Sequence, residues 1–330
     1  MKIIAIISLL FLFISFMPSQ SQESKINVVV SISDFSSIVK EIGGNFVSVS
    51  SVLPAGSDPH SFSLTKETID KIQNADLVIL ANSNLLSYEK KMKEDYNKEY
   101  LDFDDYVSNG ASLDNFDGFN NNPHGYWLKI ENAIAIAKTV ALKLEEIYPS
   151  NADYFESSFI SFKERAEKAR QIALNEMKNK GLYGKKIVAS VPGVCYIAEN
   201  FGMESDAILL SEGTAYISGK ELSELENKMK KGEYAGIIVP EFMKDAKPGE
   251  IARNIARDTD SKVIYVKFIM EENISYINAF YYNLLQFSSL STNEVKEKKA
   301  YNGDLVILSI SLTILAAFEG AIIYELYRRT

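Results

Sequence analysis

The strongest constraint on the fold of this chain is an alternation of β-branched runs with helical stretches that occurs twice. Ile26-Asn27-Val28-Val29-Val30 reads as a strand. Ser33-Asp34 offers an N-cap, and Phe35, Ile38, Val39 and Ile42 recur at helical spacing until Gly43-Gly44 ends the helix. Strands at 46–53 and 75–80 and a helix at 63–73 follow. After a polar loop at 103–122, rich in Asp, Asn, Gly and Ser, a helix is expected from 127 to 147. The rhythm then returns, with strands at 186–190, 207–210, 237–239 and 263–266 and helices at 194–201, 221–231, 249–257 and 274–287. Strands that alternate with helices predict parallel sheets covered on both faces. Between the two blocks, residues 152–179 read as one charged, amphipathic helix, about 42 Å long at about 1.5 Å per residue. One small domain has no need of such a helix, whereas a bridge between two does.

Length agrees with that division, because 330 residues exceed what a single core usually holds. The expected organisation is a leader at 1–22, an N-terminal α/β lobe at 23–148, a connecting helix at 149–181, a C-terminal α/β lobe at 182–290, a stalk at 291–303 and an apolar anchor at 304–327. Met1-Lys2 followed by the apolar run Ile3 to Met17 reads as a secretory signal. The second apolar run is long enough to cross a bilayer and stops at Arg328-Arg329, which the positive-inside bias keeps cytoplasmic. The chain between is therefore expected outside the cell, as a monomeric ectodomain held by one C-terminal transmembrane helix. A net charge of −9 argues against nucleic acid as a partner and is compatible with a cation ligand or with ordinary solubility. The lone Cys195 permits no internal disulfide.

The chain has two histidines, and each follows a proline: Asp58-Pro59-His60 and Asn122-Pro123-His124. Imidazole is the commonest protein ligand for transition metals, and a proline stiffens the turn that carries it. Two loop histidines sharing a context by chance is the plainer reading of the spacing alone. Enzymatic chemistry is not expected. There is no H-E-x-x-H helix, and a serine nucleophile would have to borrow one of these two imidazoles as its base.

Longer motifs sharpen the reading. Ile42-Gly43-Gly44, the run Leu53-Pro54-Ala55-Gly56-Ser57-Asp58-Pro59-His60-Ser61-Phe62 and the run Asn74 to Ile79 resemble the metal-binding substrate-binding proteins of zinc and manganese ABC importers, the TroA/ZnuA-like cluster A-I family. Pro123-His124 with Trp127-Leu128 and Asn132-Ala133 resembles the family's second-ligand segment. The likeness covers roughly residues 25–290 and is weaker in the second half. It implies two doubly wound α/β lobes joined by a long rigid helix, with metal in the cleft between them. It further implies a zinc or manganese ion as cargo, no organic cofactor, an ABC permease as membrane partner, and His60 and His124 as ligands. The family's third ligand follows the strand that begins the second lobe, where this chain has Ser190-Val191-Pro192-Gly193. Its fourth follows the last strand, where this chain has Lys267-Phe268, and a lysine there repels a divalent cation unless a carboxylate neutralises it. Glu241, Glu272 beside Glu271, and Cys195 are the candidates to complete the site. The alternative is a paralogue that kept the fold, lost full coordination, and serves as an accessory protein or binds another ligand.

Overall fold

A computed structural model gives the structure of the chain and describes residues 25–57, 59–210, 216–269 and 274–291. The expected leader and anchor, and all of the stalk but Ser291, lie outside the described residues. Among the described residues no helix is long and apolar enough to cross a membrane.

Two four-stranded sheets carry the architecture. The first contains β1 (Ile26–Val30), β2 (Val47–Ser51), β3 (Leu77–Ile79) and β4 (Tyr100–Leu101), in the order β2-β1-β3-β4. The second contains β5 (Lys186–Ala189), β6 (Glu204–Ile208), β7 (Tyr234–Pro240) and β8 (Val263–Val266), in the order β6-β5-β7-β8. Every pairing is parallel. In each sheet the order reverses beside the first strand, and sheets of this kind bind ligands outside the carboxyl ends of strands at such reversals.

The helices are α1 (Asp34–Gly43), α2 (Lys66–Gln73), α3 (Ser87–Asp95), α4 (Phe103–Ser108), α5 (Ile130–Ile147), α6 (Ala152–Asn179), α7 (Gly193–Asn200), α8 (Gly219–Lys230), α9 (Lys247–Thr259) and α10 (Tyr276–Ser288). Helix α1 ends at Gly44, whose φ of 52° suits a residue without a Cβ. Its start departs from expectation. The Ser33 side chain makes no cap bond, and Asp34 is buried and turned toward Trp127 instead. The stretch 103–122 is not all loop either, because Phe103–Ser108 is helical. Asp102 accepts from the backbone N–H of Phe103, and Asp105 reaches back to the N–H of Asp102 at 2.8 Å. Acidic residues that resemble loop formers thus sit in a first helical turn, where the helix dipole favours them.

The long helix α6 is where the two halves meet. Phe155, Phe162, Ala166, Ala169, Ala173 and Met177 form one buried stripe along it. Near its start Phe155 meets Phe46 of the first half at 5.8 Å, and further along Phe162 meets Tyr276 of the second half at 5.9 Å. One continuous core therefore joins the first sheet, α5, α6 and the inner face of the second sheet. The outer face of the second sheet has its own smaller core. The strands show the division in their alternation: Ile187, Ala189 and Ile238 face the shared core, while Val188, Ile237 and Val239 face the outer one.

Phe162→Ala removes a fully buried ring from the junction and is expected to cost about 3–5 kcal/mol in urea unfolding. A loss under about 1 kcal/mol would mean that α6 does not hold the halves together.

Candidate metal centre

His60 sits on an exposed turn beyond the carboxyl end of β2. The chain leaves that strand under control, since Val52 and Leu53 still donate to Val30 and Ser31 at 2.9 and 3.0 Å. A turn at Pro54–Ser57 then redirects it, closed by a 3.1 Å bond between its ends and by Gly56 at a φ of 77°.

His124 reaches the same place from another loop. Asn122 precedes it through Pro123 and is wholly buried. The Asn122 N–H donates to Asp114, its carbonyl accepts from the Tyr196 hydroxyl at 2.5 Å, and its side-chain amide donates to the Pro192 carbonyl at 3.0 Å. Its side-chain oxygen lies 3.0 Å from the His124 backbone nitrogen and 3.1 Å from Nδ1 of the His124 ring. After His124, Gly125 adopts a φ of 74° and lies against Gly193, so close that a Cβ on Gly125 would come within 2.8 Å of the Gly193 Cα. Tyr126 follows, fully buried, and donates to the Ala81 carbonyl at 2.6 Å. The Ala81 and Asn82 N–H groups are in turn held by the buried carboxylate of Glu89.

These loops bring the two imidazoles together, with ring centroids 5.5 Å apart and planes inclined by 50°. Two rings at this distance can present nitrogens to one ion. Burial, and next the nearby His60, lower the His124 pKa to about 4. The ordinary imidazole value of about 6.5 therefore does not apply to His124. This ring is neutral and available as a donor throughout the physiological range.

The candidate completing ligands are not gathered around the pair in the same way. Cys195 lies on α7, fully buried, with its thiol pushed up to about 12 by burial. Glu241 is exposed on a short 3-10 turn after β7, and its carboxylate lies 3.7 Å from the Lys267 ammonium. Lys267 also lies over the Tyr282 ring at 5.2 Å. Lys267, just after β8, thus has a carboxylate partner. Glu271 and Glu272 lie outside the described residues, as does Asp58. Among the described residues no three His, Cys, Asp or Glu side chains cluster as a metal site. The segment after β5 contributes backbone here: the Pro192 carbonyl accepts from Asn122, and Gly193 lies against Gly125.

Several residues that position the site went unnoticed in the sequence. Asp34 accepts from the Trp127 indole at 2.8 Å and from the backbone of Ile269, and burial raises its pKa to about 6. It thereby ties α1 to the segment that leads from β8 toward Glu271. Asn200 of α7 accepts from the Ile130 N–H at 2.9 Å and donates to the Leu128 carbonyl at 2.8 Å, capping α5 from the other half. Lys129 adds ion pairs with Asp114 and Glu199 at 2.5 and 3.4 Å. In sequence Asp34 read only as part of an N-cap, and neither Asn200 nor Lys129 carried a local signal.

The lowered pKa of His124 has a measurable consequence for the metal-free protein. Between about pH 6.5 and pH 4 the unfolded chain takes up a proton at this ring that the folded chain refuses. Stability is therefore lost as pH falls through that window, and His124→Gln is expected to remove that part of the slope. Parallel slopes for the two proteins in urea titrations would contradict it.

The sequence model of the family described as "Zinc-uptake complex component A periplasmic" matches residues 28–289. FimA of Streptococcus parasanguinis, a metal ABC transporter substrate-binding lipoprotein, is 28% identical over 283 residues, spanning 81% of this chain and 89% of its own. PsaA of Streptococcus pneumoniae, a manganese ABC transporter substrate-binding lipoprotein, is 27% identical over 282 residues with the same two coverages. Among solved structures, a zinc-bound ZnuA deletion mutant aligns with a TM-score of 0.69 at 19% identity, over 82% of this chain and all of its own. A Mn-bound mutant of the periplasmic metal binding protein from Candidatus Liberibacter asiaticus aligns with a TM-score of 0.67 at 20% identity, over 81% of this chain and 100% of its own. At these identities the structural likeness bears on the fold. The family match runs from β1 to α10 and so takes in both sheets and both histidine loops: the chain belongs to the ZnuA family, the zinc-uptake complex component A proteins.

Proposed function

We propose that this protein captures a divalent transition metal, zinc or manganese, outside the cytoplasm and delivers it to the permease of an ABC importer. The observation that carries this reading is the convergence of the chain's two histidines, with ring centroids 5.5 Å apart, in a member of the ZnuA family. The names of its relatives, a manganese transporter protein among them, support the class of cargo. The metal is cargo, no organic cofactor is involved, and no bond is made or broken in it. His60 and His124 are the ligands in this reading. Glu241, Glu272 and Cys195 are the candidates for the rest. Cys195 suits that role least, being buried and protonated. The relatives give no support to a paralogue that abandoned metal.

The relatives are named lipoproteins, whereas the single cysteine of this chain is Cys195, buried in α7. We therefore read residues 304–327 as the membrane anchor, residues 291–303 as its stalk and residues 1–22 as the leader. The lobes in this reading are 23–148 and 182–290, with 149–181 between them.

Isothermal titration of zinc and of manganese into the metal-free protein tests the site. His60→Ala and His124→Ala are each expected to weaken binding of the cognate metal by at least about tenfold, roughly 1.4 kcal/mol. Unchanged binding in either variant removes that histidine from the site. A chain ended after residue 290 is expected to leave the membrane fraction for the soluble one, and its retention would refute the anchor.

A further inference from the structure

We propose that Asn122 is the positioning residue that holds His124 as its Nδ1–H tautomer and so leaves Nε2 bare for the metal, an inference that rests on the metal-capture reading above. The argument is one of donors and acceptors. An asparagine side chain has an oxygen that only accepts and a nitrogen that only donates. Here the nitrogen faces the Pro192 carbonyl at 3.0 Å, and the oxygen faces the His124 N–H at 3.0 Å. Turning the amide over would set oxygen against oxygen at Pro192 and N–H against N–H at His124. Both ends therefore impose one orientation. The same oxygen lies 3.1 Å from Nδ1 of the ring, so that nitrogen must carry a proton, and the neutral imidazole keeps its lone pair on Nε2. Metal-binding imidazoles are commonly oriented in this manner by a partner on the other ring nitrogen.

Asn122 is well placed to do this because nothing about it is loose. Its backbone N–H and carbonyl are bonded to Asp114 and Tyr196, and the residue is fully buried. The bond that sets its amide comes from Pro192, which belongs to the second half of the molecule. The ring that faces the metal is thus oriented by a residue that the other lobe holds in place.

The test uses the full-length chain, stripped of metal near neutral pH and labelled with nitrogen-15 in its histidines. There are only two, and His60→Gln assigns the remaining signal. Long-range proton–nitrogen correlation spectra are expected to show His124 protonated at Nδ1 and bare at Nε2. Asn122→Leu removes the acceptor and is expected to move the proton to Nε2 and to weaken zinc binding about 10–100-fold. An Nε2–H ring in the wild type overturns the proposal. So does a folded Asn122→Leu protein with unchanged tautomer or unchanged zinc affinity. If Asn122→Leu does not fold, the wild-type spectrum still decides. If the wild type binds no zinc or manganese, the metal-capture reading fails by itself, while the spectrum separately reports whether Asn122 sets the tautomer.

Discussion

A parallel sheet has to be covered on both faces, and here one helical layer serves two sheets at once. Helices α5 and α6 form the part of the core that both halves share. The lobes cannot be drawn apart without exposing rings such as Phe162 and Tyr276 or the alanine stripe of α6. The candidate metal centre is made of loops: His60 follows β2, and His124 lies in the connection between α4 and α5.

Many of the bonds that cross between the halves fall on one short stretch, residues 122–130. Asn122 reaches Pro192, Gly125 lies on Gly193, the Leu128 carbonyl accepts from both Asn200 and Tyr276, and Lys129 pairs with Glu199. This stretch contains His124. The second half thus holds the stretch that carries His124 through the Pro192 carbonyl and the Asn200 side chain. Burial does the rest of the electrostatic work. It keeps His124 neutral, whereas Glu241 lies beside the Lys267 ammonium that follows β8.

Much of the fold was legible in the sequence. Apolar strands such as Val28-Val29-Val30 and Ile237-Ile238-Val239 admit few readings, and α6 was bounded at the residues observed because its apolar stripe runs unbroken from Phe155 to Met177. Edge elements were read less well. Strand β6 begins at Glu204, three residues before the apolar signal, because its hydrogen bonds come from β5 and its early side chains stay partly in solvent. Helix α4 was hidden in a run of acidic residues whose capping bonds look, in sequence, like loop composition.

The sequence by itself determined that the chain folds as two wound α/β units, and it singled out His60 and His124. Both conclusions rest on local patterns: periodicity, turn residues, and a proline beside each histidine. Only the tertiary structure decided that the two rings meet, that His124 is neutral, and that Asn122, Asp34 and Asn200 hold its surroundings in place. These depend on contacts between residues far apart in the chain, such as Asn122 with Pro192 or Leu128 with Tyr276. A buried polar residue finds its partner only when the chain has closed around it, and no local pattern names that partner in advance.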